Sequence, residues 1–102
     1  MQTSVQVPLD LEQIAEFCRG HHIERLWLFG SVLRDDFGPH SDIDVLVQFN
    51  AKAPLSFWDV VQAQEELADL LGRPVDLIEL EALRNPFLRS EISRTRHLVY
   101  AA

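Results

Sequence analysis

Cysteine is almost missing from this chain, and positive charge is scarce. Cys18 stands alone among 102 residues. It has no internal partner for a disulfide, which fits a reducing, cytoplasmic setting, and on a helix it reads as a small core hydrophobe. Nine Lys and Arg face sixteen Asp and Glu, a formal net charge of −7. That argues against a surface that clamps nucleic acid directly. It leaves room for a triphosphate held through metal ions, or for a basic protein partner. No window approaches the ~20 apolar residues of a membrane span. Residues 1–10 hold no basic residue and no long apolar run, so no secretory leader pattern opens the sequence. Repeats, low-complexity tracts and linkers are absent too. The expectation is one domain over residues 1–102, large enough to bury roughly two-thirds of its unfolded surface without staples.

What is present is strongly patterned. Leu11, Ile14, Ala15 and Cys18 recur three and four apart, predicting a helix over residues 10–19. Asp10 sits at its N-cap, Gln13 completes a capping-box-like pair, and Gly20 suits its C-terminal stop. Residues 23–29 are dense in apolar and aromatic types and predict a strand covered on both faces. A short helical turn over 31–35 and a Gly-Pro loop over 36–40 lead to a second strand, 42–49. Ser56 caps a helix over 57–71, with Phe57, Val60, Val61, Gln64, Leu67, Ala68 and Leu71 as its inward stripe and Gly72 as its end. A third strand over 75–80 carries Asp76. Asn85-Pro86 opens a helix over 86–95, and 97–100 forms a last short strand.

Chemistry concentrates at two places. Gly30-Ser31 follows the first strand, and ten residues later comes Asp42-Ile43-Asp44 at the head of the second. Side chains alternate along a strand, so Asp42 and Asp44 share a face while Ile43, Val45, Val47 and Phe49 point to a core. Two carboxylates repel by roughly 3 kcal/mol at ~5 Å and an effective dielectric of ~20. A divalent cation between them removes that cost. If the strand bearing Asp76 is a neighbour, three carboxylates converge, the set that a two-metal site for phosphoryl or nucleotidyl transfer needs. Gly30 lets the backbone approach phosphate oxygens, Ser31 adds a hydroxyl donor, and Arg34 is placed to pair with a phosphate or a nearby acid.

Taken singly, each feature has a simpler reading. A Gly-Ser pair after a strand is a turn, Asp-x-Asp a solvated strand end, Asp76 a surface acid and Arg34 a surface arginine. Only their conjunction points to a site. His21-His22 reads as a polar cap on the first helix rather than a metal pair, and His40 as a loop histidine beside the acids. Glu65, Glu66 and Asp69 form a solvated helix face. Trp27 and Trp58 are core or partner-contact aromatics. Arg84, Arg89, Arg94 and Arg96 give the last third a basic bias that suits a docking surface or plain charge balance.

The wording Phe29-Gly30-Ser31-Val32-Leu33-Arg34, followed by Ser41-Asp42-Ile43-Asp44-Val45-Leu46-Val47, resembles the signature of the polymerase-β-like nucleotidyltransferases. It is most similar to their small prokaryotic branch, the minimal nucleotidyltransferases (MNT). Val75-Asp76-Leu77-Ile78 resembles that branch's third-acid strand, and residues 92–100 its usual finish. The resemblance implies an α+β, two-layer fold with a small mixed sheet flanked by helices. It implies Asp42, Asp44 and Asp76 as catalytic acids and ligands of two Mg²⁺ ions, with Gly30, Ser31 and Arg34 holding ATP. It also implies an antitoxin that transfers AMP onto a tyrosine of a helical HEPN ribonuclease toxin, as a hetero-oligomer with it or as a homodimer. A non-catalytic antitoxin that acts by covering its toxin, and a nucleotidyltransferase for small molecules, are the alternatives. One departure stands out: family members commonly carry Ala-Arg-Gly after the Gly-Ser turn, and here the run is Leu33-Arg34-Asp35. Arg34 is kept, while Asp35 lacks glycine's freedom and adds negative charge. With no appended acceptor-binding domain, such a chain is expected to borrow part of its acceptor site from a partner.

Overall fold

The computed structural model describes residues 9–33, 38, 41–53 and 55–102. Helix α1 (Leu11–Gly20) leads into strand β1 (Ile23–Phe29) and a 3-10 turn, Gly30–Leu33. Strand β2 (Ile43–Phe49), helix α2 (Phe57–Leu71) and strand β3 (Val75–Glu79) follow. A second 3-10 turn (Leu80–Ala82), helix α3 (Pro86–Thr95) and strand β4 (His97–Ala101) complete the order. The four strands make one mixed sheet in the order β3-β2-β1-β4. β1 runs antiparallel to both β2 and β4, whereas β2 and β3 are parallel. Parallel neighbours cannot be joined by a hairpin, and here α2 makes the crossover.

Both sheet faces are buried, as the unbroken apolar run of β1 predicts. On one face Leu26, Leu28, Val45, Val47 and Leu77 meet Ile14, Phe17 and Cys18 of α1 and Ala63 and Leu67 of α2. On the other, Trp27 and Leu46 pack with Leu83 and with Ile92 of α3, flanked by Phe29, Ile78 and Leu80. Strand alternation sorts the residues in this way. A register irregularity between Ile23 and Arg25 shifts the parity once, so Ile23 joins Leu26 and Leu28 on the same side.

The helices begin where their caps predict. The Asp10 carboxylate accepts from the amides of Glu12 and Gln13, and Asn85 accepts from those of Phe87 and Leu88. Ser56 and Asp59 form a reciprocal capping box at α2, and Gly72 ends it in a left-handed conformation.

Three expectations need correction. Gly20 does not stop α1: it is the last helical residue, and His22, at φ 60°, turns the chain. Phe57 does not join the inward stripe of α2 but is 73% exposed. Ala63 is fully buried in the α2 contact instead. The second strand begins at Ile43, leaving Asp42 just outside it. Gln64, the one polar member of the stripe, accepts from the backbone N–H of Leu77 at 3.0 Å and so ties α2 to β3. No helix among the described residues is long and apolar enough to cross a membrane.

Candidate active site

At the end of β1 the chain must leave the sheet at once, and Gly30 makes this possible with φ 76°. A Cβ built at this position would collide with Oδ2 of Asp44 and lie 3.3 Å from its Cγ. Only a glycine lets this turn sit against that carboxylate. The cause is register: Phe29, the residue before the turn, pairs with Asp44 across β1 and β2.

On its other side Asp44 pairs with Asp76 of β3. Residues paired in register on neighbouring strands point to the same face, with the strands about 4.8 Å apart. Asp44 and Asp76 therefore project together, from the face that carries Trp27, Leu46 and Ile78 and is roofed by α3. Asp44 is half-buried, while Asp42 and Asp76 are exposed. Asp42 directly precedes β2, and Ser31 lies half-buried in the turn beside Gly30. Five of the six residues singled out from the sequence thus lie at one end of the sheet. The sixth, Arg34, lies outside the described residues, as does His40.

The approach to the acids is pinned by residues that sequence reasoning passed over. Ser41 Oγ accepts from the Gly38 amide at 3.0 Å, and the Ser41 amide donates back to the Gly38 carbonyl at 3.1 Å. The Arg73 guanidinium donates to the same carbonyl at 2.8 Å, and the Ile43 amide donates to the Pro74 carbonyl at 2.9 Å. The segment before β3 therefore holds the segment before β2, and Arg73 brings a cation to that corner. Arg73 followed two residues later by Val75-Asp76 was the available signal, but nothing local in the sequence says that it reaches Gly38.

Carboxylate oxygens are the hard donors that Mg²⁺ prefers, so the donor set fits that ion in kind. Among the described residues, no group of three or more His, Cys, Asp or Glu side chains stands closed up to hold a metal. The backbone pairs Asp44 with Asp76 at one end of the sheet, with Asp42 directly before β2.

The other candidates find structural roles. His21 caps α1, its ring 4.7 Å from that of Phe17 and its Nε2 2.7 Å from the Glu66 carboxylate, bridging α1 to α2. Trp27 is buried with the Arg96 guanidinium 4.3 Å from its ring centroid. Trp58 stands exposed beside Phe57, the two rings edge to face at 5.7 Å.

A mixed four-stranded sheet with helices on both faces is the architecture of a nucleotidyltransferase domain. Residues 12–102 match the family described as "Polymerase beta, Nucleotidyltransferase", and the chain belongs to it. Within that family it falls among the minimal nucleotidyltransferases. It is 30% identical to a solved candidate minimal nucleotidyltransferase, covering 87% of this chain and 95% of that one with a TM-score of 0.68. A Methanocaldococcus jannaschii protein named as a candidate protein adenylyltransferase is 31% identical over 80% of this chain and 90% of its own length. The fold also matches, at TM-score 0.64 and 21% identity over 90% of this chain and 70% of the other, a chain of a complex described as tri-AMPylated Shewanella oneidensis HEPN toxin with MNT antitoxin.

Proposed function

We propose that this protein transfers AMP from ATP to a protein hydroxyl, on a tyrosine of a cognate HEPN ribonuclease toxin, and acts in the cytoplasm as that toxin's antitoxin. The observation that carries the reading is the register that sets Asp44 against Gly30 on one side and opposite Asp76 on the other. The described chemistry of the Shewanella oneidensis complex and the name of the archaeal relative support the choice of group and acceptor.

In the proposed reaction the acceptor hydroxyl oxygen bonds to the α-phosphorus while the bond to the bridging oxygen of the β-phosphate breaks. Pyrophosphate leaves, and the hydroxyl proton passes to Asp76, an exposed carboxylate on the edge strand. Gly30, Ser31 and Arg34 bind the triphosphate, so that it lies in line with the acceptor. Asp42, Asp44 and Asp76 would hold two Mg²⁺ ions, which supply charge neutralisation and a more acidic acceptor hydroxyl. Incubation with labelled ATP, Mg²⁺ and the cognate toxin is expected to label the toxin. Absence of transfer across metals and all four nucleotides overturns the reading.

A second reading, neutralisation by binding alone, is favoured by one feature. Phe57 and Trp58, 73% and 74% exposed, form an aromatic pair of the kind that anchors protein interfaces. The double variant Asp42→Asn with Asp44→Asn separates the two, since both changes leave the core faces intact. Loss of protection in cells supports chemistry, and full protection supports binding.

A further inference from the structure

Asp42 is exposed and lies just outside β2, so neither strand pairing nor close packing holds it directly. Its two chain neighbours do. On one side the Ile43 amide donates to the Pro74 carbonyl at 2.9 Å. On the other, Ser41 closes a turn with Gly38, and the Gly38 carbonyl takes a second donor, the Arg73 guanidinium, at 2.8 Å. Arg73 and Pro74 are adjacent, and Asp76 follows two residues later. We propose that Arg73 is a positioning residue for the transfer reaction: it fixes the turn that carries Asp42, so that residues 73–76 set the places of both Asp42 and Asp76. The assignment rests on the reading of the acids as a metal site and adds what holds the first of them.

The turn itself does not need Arg73. Gly38 and Ser41 are bonded to each other in both directions, at 3.0 and 3.1 Å, between residues three apart. What such a local turn lacks is a fixed place relative to the sheet. The Arg73 bond supplies it across 35 residues of chain. Its own base is firm, since the Arg73 amide donates to the Ala68 carbonyl at the end of α2, at 3.2 Å. The donor is charged and the contact partly buried, which makes the bond stronger than one between neutral groups. A ligating carboxylate binds a cation only as firmly as its surroundings aim it, and losing an outer contact of this kind weakens metal affinity about 10- to 100-fold.

Arg89 offers a matched comparison. Its guanidinium also donates to backbone carbonyls, those of Leu83 at 3.1 Å and Leu80 at 3.4 Å, beyond the far end of β3 from Asp76. A bond that serves stability alone has the same consequences at either arginine. A bond that positions Asp42 has a consequence for metal at Arg73 only.

The test follows Mn²⁺ uptake by the full chain with α,β-methylene-ATP, read from the paramagnetic resonance signal of free Mn²⁺. Arg73→Ala is expected to weaken Mn²⁺ binding about tenfold. Arg73→Lys should recover most of the loss, because an ammonium can still donate to the Gly38 carbonyl. Arg89→Ala should bind Mn²⁺ as the wild type does, with a melting temperature close to that of Arg73→Ala. In transfer assays Arg73→Ala should raise the Mg²⁺ concentration for half-maximal rate and leave KM for the protein acceptor unchanged. Wild-type Mn²⁺ affinity in Arg73→Ala overturns the assignment, as does an equal loss in Arg89→Ala or a lysine variant no better than alanine. If Arg73→Ala does not fold, Ser41→Ala, which cuts the turn's bond to the Gly38 amide, takes its place: weakened Mn²⁺ binding supports the assignment and unchanged binding overturns it. A wild type that takes up no Mn²⁺ with the analogue brings down the metal-site reading itself.

Discussion

Two glycines with nearly the same backbone angle show what a single residue contributes. Gly30 and Gly72 sit at φ 76° and φ 70°. Any other residue there costs about 1–2 kcal/mol in backbone strain. Around Gly72 an added Cβ meets nothing within 4 Å, whereas at Gly30 it meets the Asp44 carboxylate. Gly72→Ala is therefore expected to lower stability by about 1 kcal/mol, seen in thermal melts, and to leave transfer intact. Gly30→Ala is expected to destabilise more and to abolish transfer, because Asp44 must move. Equal effects of the two on activity would remove Gly30 from the site. Cys18 makes a different point. It is fully buried, and burial pushes its thiol from the ordinary 9.0 up to about 12. The native protein should resist alkylation at about pH 8 and react only when unfolded. Below 9.0 the thiol is neutral in both states and its contribution is level. Above 9.0 the unfolded chain ionises it and the folded chain does not, so stability falls as pH rises toward 12. Denaturant titrations at about pH 8 and about pH 10.5, compared with Cys18→Ala, check this.

At the scale of elements, caps and periodicity decide where helices lie. Ser56 and Asp59 illustrate the coupling to pH. The Ser56 amide donates to Asp59 Oδ2 at 2.7 Å, and its hydroxyl to the same oxygen at 3.1 Å. These two bonds, the backbone one foremost, hold the Asp59 carboxyl below its ordinary value of 3.8. Its contribution is thus present above 3.8 and is lost as pH falls through the lower folded value. The melting temperatures of wild type and Asp59→Ala should differ near neutrality and converge in acid. Leu46, fully buried between Trp27 and the α3 layer, should cost about 3 kcal/mol when cut to alanine. Denaturant unfolding reads that loss directly. Both helix ends at α2 were legible because Ser56, Asp59 and Gly72 act within one turn of the backbone they satisfy. The exposure of Phe57 was not: helical spacing gives the stripe but not which of its members the sheet covers. The stop after α1 shows the same limit, since His22 takes a left-handed conformation that its residue type does not announce.

For the whole molecule, the decisive quantity is strand order. Asp76 lies on the edge strand beside Asp44 because β3 pairs with β2 and not with β4. At the opposite end of that edge, α2 begins with exposed Phe57 and Trp58. On the proposed reading as an antitoxin, the net charge of −7 favours a basic partner that also covers these rings. Phe57→Ala with Trp58→Ala should leave the melt unchanged and weaken capture of the cognate toxin by about tenfold or more. Association should also slow as salt is raised. A double variant that binds as tightly as the wild type would move the interface elsewhere.

By itself the sequence determined the kind, order and near-limits of the elements, the apolar face of β2 and the family signature around Gly30, Asp42 and Asp44. These follow from side-chain alternation, helical period and capping, forces that act between residues close along the chain. Only the tertiary structure decided that Asp44 stands between Gly30 and Asp76 and that Arg73 braces Gly38. Those placements depend on which strands share hydrogen bonds. That choice is made by burying both faces of the sheet at once, a balance over the whole chain that no short stretch of residues contains.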